Sequence, residues 1–151
     1  MSSIAVRRLH NQGLAQKQFH QPSDVVAWLG AVQAQEYALA KWALGLRMDN
    51  ATDDRVEQAF TDGAILRTHL MRPTWHFVTP QDIRWLLALT APRVNAVNAF
   101  MYRKLELDDT LFLRSNAAIA KALVGGKHLT REELAAALAQ VGIVADGMRL
   151  G

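Results

Sequence analysis

The chain contains no cysteine, and this absence excludes several kinds of site at once. Disulfides, zinc sites with thiolate ligands and cysteine nucleophiles are ruled out, and the composition fits a reducing compartment. The five histidines are scattered and lack partner carboxylates at metal-ligand spacing. We therefore predict no metal ion and no other cofactor.

Long apolar runs are also missing, and proline and aromatic residues are scarce. The first residues lack the apolar segment of a signal peptide, and no later run approaches the length of a transmembrane helix. We expect a cytoplasmic protein without membrane contact. Half of the 151 residues are hydrophobic, which is enough for one solid core or for two small domains.

The charge is modest overall but unevenly distributed. The formal net charge is +3. The charged residues of 49–62 are mainly acidic. Those of 64–104 are basic except for one acidic residue, Asp82. A face rich in Arg and Lys suits a polyanion, so this distribution is compatible with nucleic-acid binding.

The first ninety residues carry signals for several helices followed by two strands. We predict a helix over residues 4–12, a second from Pro22 that runs into Gln33, a third from Glu36, and a fourth capped by Thr52. Two β segments follow, at residues 64–69 and 74–78. Helices followed by a hairpin are the layout of a winged helix.

The last sixty residues predict a second helical unit. A helix begins after Thr79, Pro92 breaks or restarts it, and a further helix continues towards Leu105. A helix at 111–124, a glycine turn and a helix with a Thr130–Glu133 capping box then resemble a helix-turn-helix.

The predicted fold is mainly α with a small β-hairpin. We assign residues 1–91 to a winged-helix domain, and residues 92–151 to a linker helix and the start of a second, incomplete winged-helix domain. The sequence looks truncated because no strands follow for a second wing. Apolar surface exposed by truncation could support a dimer.

Polar residues 33–36 lie between two strongly apolar runs. On a continuous helix Gln33 and Gln35 would point roughly 200° apart, since each residue advances the helix by about 100°. We predict an extended or kinked chain across Ala34, which lets both amides converge. The alternative is a pair of amides that cap or bridge helix ends.

The four tryptophans, at helical or alternating spacing, are predicted to lie in the core.

Residues 9–14, 32–35 and 66–76 together resemble a known family. Their Gln-x-Gln and Arg-x-x-x-x-Arg-x-Thr-x-His motifs are similar to those of the AlkZ-like DNA glycosylases with winged-helix DNA-binding domains, and the resemblance covers most of residues 4–150. It implies removal of alkylated purines from double-stranded DNA, including unhooking of interstrand crosslinks, with Gln33 and Gln35 as catalytic residues. Family chains are much longer, so we expect this portion alone to have little or no activity.

The resemblance also favours a DNA-facing surface along the hairpin. The predicted DNA-binding residues are Arg67, His69, Arg72, Thr74, His76, Arg93, Arg103 and Lys104. The alternative is a solvated strand pair and ordinary solvated helix faces, with His76 as a structural histidine. Two other functions stay open, namely a non-catalytic winged-helix DNA-binding or regulatory module and a protein whose helices bind another chain.

Overall fold

The computed structural model describes residues 3–71 and 74–150, and it divides into two compact units. The first unit is Met1–Val94 and the second is Asn95–Gly151. The fold is mainly α-helical with a small antiparallel sheet, as predicted.

The helices of the first unit begin where the sequence places their caps. They are α1 (Ile4–Asn11), α2 (Pro22–Leu29), α3 (Tyr37–Gly45) and α4 (Asp53–Thr61). The hydroxyl of Ser3 accepts the Val6 N–H and starts α1, and the hydroxyl of Thr52 accepts the Arg55 N–H and starts α4. Such bonds satisfy backbone donors that a helix leaves unpaired at its start.

The prediction that α2 runs into Gln33 is wrong, because the helix ends at Leu29. Gly30 follows with φ of +76°, a left-handed conformation that glycine adopts without steric cost. The chain then leaves the helix and becomes extended at Val32. The chain is thus extended just before Ala34, where an extended or kinked chain was predicted, but the helix ends four residues earlier than expected.

The sheet has three short strands. They are β1 (Val32–Gln33), β2 (Leu66–Leu70) and β3 (Thr74–Val78), in the order β1-β3-β2, with both pairings antiparallel. The predicted hairpin of β2 and β3 is confirmed. Strand β1 was not predicted as a strand, since two residues are too few to show an alternating pattern.

Apolar clusters cover both faces of this sheet. The larger cluster includes fully buried Ala34 and Phe77 and joins the sheet to α2, α3 and α4. Within it the rings of Phe60 and Phe77 meet edge to face, with centroids 4.8 Å apart. Leu70 and Val78 point to the other face. There they pack with residues that include Leu86.

A buried lysine ties α3 to α4. The ammonium of Lys41 lies 2.7 Å from the carboxylate of Asp53 and also donates to Glu57, and Glu57 accepts the Tyr37 hydroxyl at 2.9 Å. The hydrogen bond from Lys41 holds the pKa of Glu57 below its usual range, and the bond from Tyr37 acts in the same direction. Burial is the main cause of the raised pKa of Tyr37, and its bond to Glu57 adds to it.

The prediction that the tryptophans lie in the core is wrong for three of the four. Trp28, Trp42 and Trp85 are 45%, 66% and 52% exposed. Trp28 still packs on Phe19, with ring centroids 5.4 Å apart. Helical spacing identifies a face but does not say whether another element covers it, and here the covering is incomplete.

The next helix, α5 (Ile83–Lys104), contains Pro92 in its interior. The prediction that Pro92 breaks this run is therefore wrong. Proline removes one backbone donor, here the one that would bond to Ala88, while the residues on either side keep their helical conformation. Upstream of the proline, the Thr90 hydroxyl donates to the carbonyl of Leu86 at 2.8 Å.

The second unit follows the predicted order of helices. It contains α6 (Asp109–Ala122), α7 (Arg131–Ala139) and a short 3-10 helix at Gly147–Arg149. The capping box is present, because Thr130 and Glu133 exchange side-chain and backbone hydrogen bonds. Within residues 3–71 and 74–150, no helix is long and apolar enough to span a membrane.

The end of α2 gives a first prediction. Replacing Gly30 by Ala should lower the free energy of unfolding by about 1 kcal/mol, because a Cβ is strained at positive φ although nothing lies within 4 Å of it. Gly45→Ala is the matched control, since Gly45 ends α3 without positive φ. Urea unfolding of the two variants should separate them, and equal stability would contradict the strain.

The Lys41 network gives a second prediction. The pKa of Glu57 is lowered in the folded state, so the stability it contributes is present above the ordinary glutamate range and is lost as pH falls through the lowered pKa. Glu57→Gln should therefore have a lower free energy of unfolding than wild type at pH 7. The difference in free energy of unfolding between the two should become smaller towards pH 3.

Asp54→Asn is the control, because Asp54 lies on the same helix and makes no ion pair within the described part of the chain. Denaturant unfolding at several pH values measures both variants. If the difference in stability between Glu57→Gln and wild type stays constant with pH, the pKa of Glu57 is not lowered by the fold.

Candidate functional site

The two predicted catalytic glutamines lie on the extended segment between α2 and α3. Val32 pairs with Phe77 and Gln33 pairs with His76, and the Ala34 N–H donates to the Trp75 carbonyl at 2.7 Å. Side chains alternate along an extended chain. Ala34 is accordingly fully buried, while Gln33 and Gln35 on either side of it are both exposed.

Both glutamines open onto the same depression of the surface. Its volume is about 320 Å³, and its walls are Gln33, Gln35 and Glu36 together with Leu39, Ala40 and Ala43 of α3. The two glutamines thus border one depression, and the convergence of their amides stays a prediction. Neither Arg67 nor His76 of the hairpin lines this depression.

The two glutamines differ in their hydrogen bonds. The Trp75 backbone N–H donates to Oε1 of Gln35 at 3.4 Å, a long bond that turns the carbonyl of this amide towards β3. The amide of Gln33 has no hydrogen-bond partner within residues 3–71 and 74–150. Gln33 therefore keeps both its donor and its acceptor for water or a ligand, whereas Gln35 is partly held by the protein.

Arg67 holds the glutamine segment in place from β2. Its guanidinium donates to the Ala34 carbonyl at 3.0 and 3.2 Å and to the Gln35 carbonyl at 3.3 Å. The same group lies over the rings of Trp75, at 4.5 Å, and Tyr37, at 5.4 Å. These contacts give Arg67 a positioning role that the sequence did not predict.

The other predicted residues of the hairpin lie in different environments. His69 is exposed and its ring lies on Trp75, with centroids 3.9 Å apart, while Thr74 is half-buried. His76 is buried, and its Nδ1 lies 2.9 Å from the Thr74 carbonyl. Arg72 falls outside the described residues.

The three predicted DNA-binding residues of α5 are exposed to solvent. Arg93 belongs to the first unit, whereas Arg103 and Lys104 form the last turn of the helix in the second unit. None of the three takes part in an ion pair with another residue that the structure describes. Each is thus available to an anionic partner.

A second, larger depression contains none of the predicted site residues. It measures about 360 Å³ and lies between α3 and α4, where its walls include Lys17, Lys41, Trp42 and Asp53. Lys41 and Asp53 already neutralise each other. We place the candidate site at the smaller depression, because its polar groups remain free to bind.

No group of three potential ligands among His, Asp and Glu lies close enough to hold a metal ion in the described ranges. The site consists of two amides, one carboxylate and the apolar side of α3. Leu39 was not predicted as part of it, and Glu36 was expected to start a helix, with orientation of the two amides as the alternative.

Comparisons with known proteins show what this chain is similar to. The structure of Streptomyces sahachiroi DNA glycosylase AlkZ matches with a TM-score of 0.73 and 27% sequence identity, over 88% of this chain and 36% of that chain. The chain thus spans about a third of the length of that glycosylase. No curated protein sequence matches the chain.

A family model described as "DNA glycosylase AlkZ-like" matches residues 26–149, which include both glutamines and the hairpin. This match covers most of the chain. The chain belongs to the AlkZ-like DNA glycosylase family.

Proposed function

We propose that this protein binds double-stranded DNA and hydrolyses the N-glycosidic bond of alkylated purines. The observation that carries the proposal is that Gln33 and Gln35 both line one depression in a chain of the AlkZ-like family. The matched AlkZ structure is itself named a DNA glycosylase. The interstrand crosslinks implied by the resemblance are bulky forms of the same lesion.

The chemistry suits a site built from amides. Alkylation at N7 gives the purine a positive charge, which makes the base a good leaving group without a strong general acid. The transition state then resembles an oxocarbenium ion at the sugar. The carbonyl dipole of Gln33 can orient the attacking water and stabilise this positive charge, while Gln35 defines the neighbouring wall.

We further propose that the first unit is a winged helix. The order of α2, β1, α3, α4, β2 and β3, with β3 in the middle of the sheet, supports this. On this proposal the β2–β3 hairpin is the wing that approaches the DNA backbone. A second, incomplete winged helix after residue 91 stays a prediction, as does a cytoplasmic location.

The predicted DNA-binding residues are proposed to act in two ways. His69, Thr74, Arg93, Arg103 and Lys104 are proposed to contact DNA directly, together with Arg72. Arg67 already directs its donors to backbone carbonyls, and His76 is buried. Their contribution to DNA binding is proposed to be indirect, through the position of the glutamine segment and the wing.

Substitution of both glutamines tests the catalytic role. Gln33→Ala plus Gln35→Ala should slow excision from an N7-alkylated duplex by at least about 100-fold, because the oriented water and its electrostatic partner are lost. Release of the modified base is measured with the protein in its full natural length. Binding to undamaged duplex should stay within about twofold of wild type.

Gln81→Ala plus Gln140→Ala is the matched control, since both are exposed glutamines away from the depression. This control should cleave at the wild-type rate. Excision by the Gln33 and Gln35 double variant at that same rate would refute the catalytic role. DNA binding without any excision by wild type would instead support a non-catalytic winged-helix module.

Salt titration tests the DNA contacts. Each of Arg93→Ala, Arg103→Ala and Lys104→Ala should reduce the slope of log affinity against log salt by about 1, because each phosphate contact releases roughly one counterion. Lys121→Ala, another exposed position on a helix of the second unit, should leave the slope unchanged. Affinity for duplex that does not respond to salt would favour an interaction with another protein.

The proposed dimer is tested separately. Exposed apolar side chains, such as Leu113 and Val144, could pack against those of a second copy. Sedimentation at increasing protein concentration should then show association. A single monomeric species at all concentrations would exclude it.

A further inference from the structure

The proposed reaction produces a proton that neither glutamine can accept. When water adds to the sugar, its oxygen becomes positively charged and must lose a proton. An amide has no basicity near neutral pH and can only orient the water through hydrogen bonds. A glycosylase site of this kind therefore benefits from a carboxylate placed beside the amides.

Glu36 is the ionisable side chain in the wall of the depression. Among the described residues, the other five that line it are Gln33, Gln35, Leu39, Ala40 and Ala43. Glu36 is adjacent in sequence to Gln35 and is exposed to solvent. Glu36 thus borders the same depression as the two glutamines.

The carboxylate of Glu36 is not used to build the fold. Glu36 occupies the N-cap position of α3, with φ of −94° and ψ of 102°, but its side chain makes no capping hydrogen bond. Ser, Thr, Asp and Asn are the residues preferred at this position, because their short side chains reach the free N–H groups. Nor does Glu36 form an ion pair within residues 3–71 and 74–150.

Three other carboxylates of the first unit are already engaged. Glu57 and Asp53 bind Lys41. Asp82 accepts the Trp85 indole N–H and the Thr79 hydroxyl, both at 2.8 Å. Glu36 differs from these three in having its acceptor oxygens free.

The backbone before Glu36 is held firmly enough to place this carboxylate. Arg67 binds the carbonyls of Ala34 and Gln35, and the Ala34 N–H pairs with β3. On the other side, α3 begins at Tyr37. The carboxylate therefore extends from a backbone junction that is held on both sides.

We propose that Glu36 is a catalytic carboxylate of this site, an inference that rests on the proposed glycosylase function. The bond between C1′ and the purine nitrogen breaks, and its electron pair leaves with the base and neutralises the charge of the alkylated ring. The negative carboxylate stabilises the cation that develops at C1′. Water then forms a bond to C1′, and its proton passes to Glu36.

Binding of a charged sugar analogue tests this role directly. One duplex carries a pyrrolidine abasic analogue, which is cationic at neutral pH, and a matched duplex carries the neutral tetrahydrofuran analogue. Wild type should prefer the cationic duplex. Glu36→Gln should reduce this preference by about tenfold or more, while affinity for the neutral duplex stays equal or rises because a negative charge has been removed.

Glu36→Ser separates a catalytic role from a structural one. Serine is a better N-cap than glutamate, so this variant should be at least as stable as wild type and yet lose the cationic preference and slow excision. Glu36→Asp should recover part of the cationic preference, since it restores the charge.

The outcomes separate the inference from the function it rests on. Excision that depends on Gln33 and Gln35 but is unchanged in Glu36→Gln and Glu36→Ser would overturn the inference alone. An unchanged ratio of cationic to neutral affinity in these variants would do the same. If wild type binds neither duplex, the proposed function itself fails.

Discussion

The candidate site depends on how the extended backbone of residues 32–35 is held. Two residues of strand give few hydrogen bonds of their own, so an isolated segment of this kind would not be stable. Pairing with β3 provides hydrogen bonds along one edge of this segment. The Arg67 guanidinium donates hydrogen bonds to the carbonyls of Ala34 and Gln35. Without these partners the two amides would have no fixed relation to each other or to α3.

The buried alanine between the glutamines is part of the same constraint. Ala34 packs in the larger apolar cluster with Phe77, and its burial fixes which face of the segment turns outward. A shift of one residue would bury both glutamines and expose the alanine. Apolar packing on one face therefore positions polar groups on the other, and the chemistry of the site is a consequence of the core.

Charged groups in the first unit divide into two kinds. Lys41, Asp53 and Glu57 satisfy one another and join α3 to α4, so they stabilise the helices that carry the site. Glu36 has no such partner among the described residues, and it lies at the depression. Asp54 also lacks an ion pair there, so the position of Glu36 at the depression is what makes it the candidate catalytic acid. Family membership is the basis of the proposed reaction class, and these contacts are the basis of the proposed roles of the residues.

Local sequence was sufficient to predict much of this protein. The caps at Thr52 and Thr130, the hairpin and the mainly α fold follow from short-range hydrogen bonding and periodicity, and the structure confirms them. The motifs around Gln33 and Gln35 also identified the family. The end of α2 at Gly30 had a local signal that the prediction missed. Tertiary structure alone decided how Arg67 is used and which tryptophans are exposed. These features depend on contacts between residues far apart in the chain, which neither spacing nor propensity records.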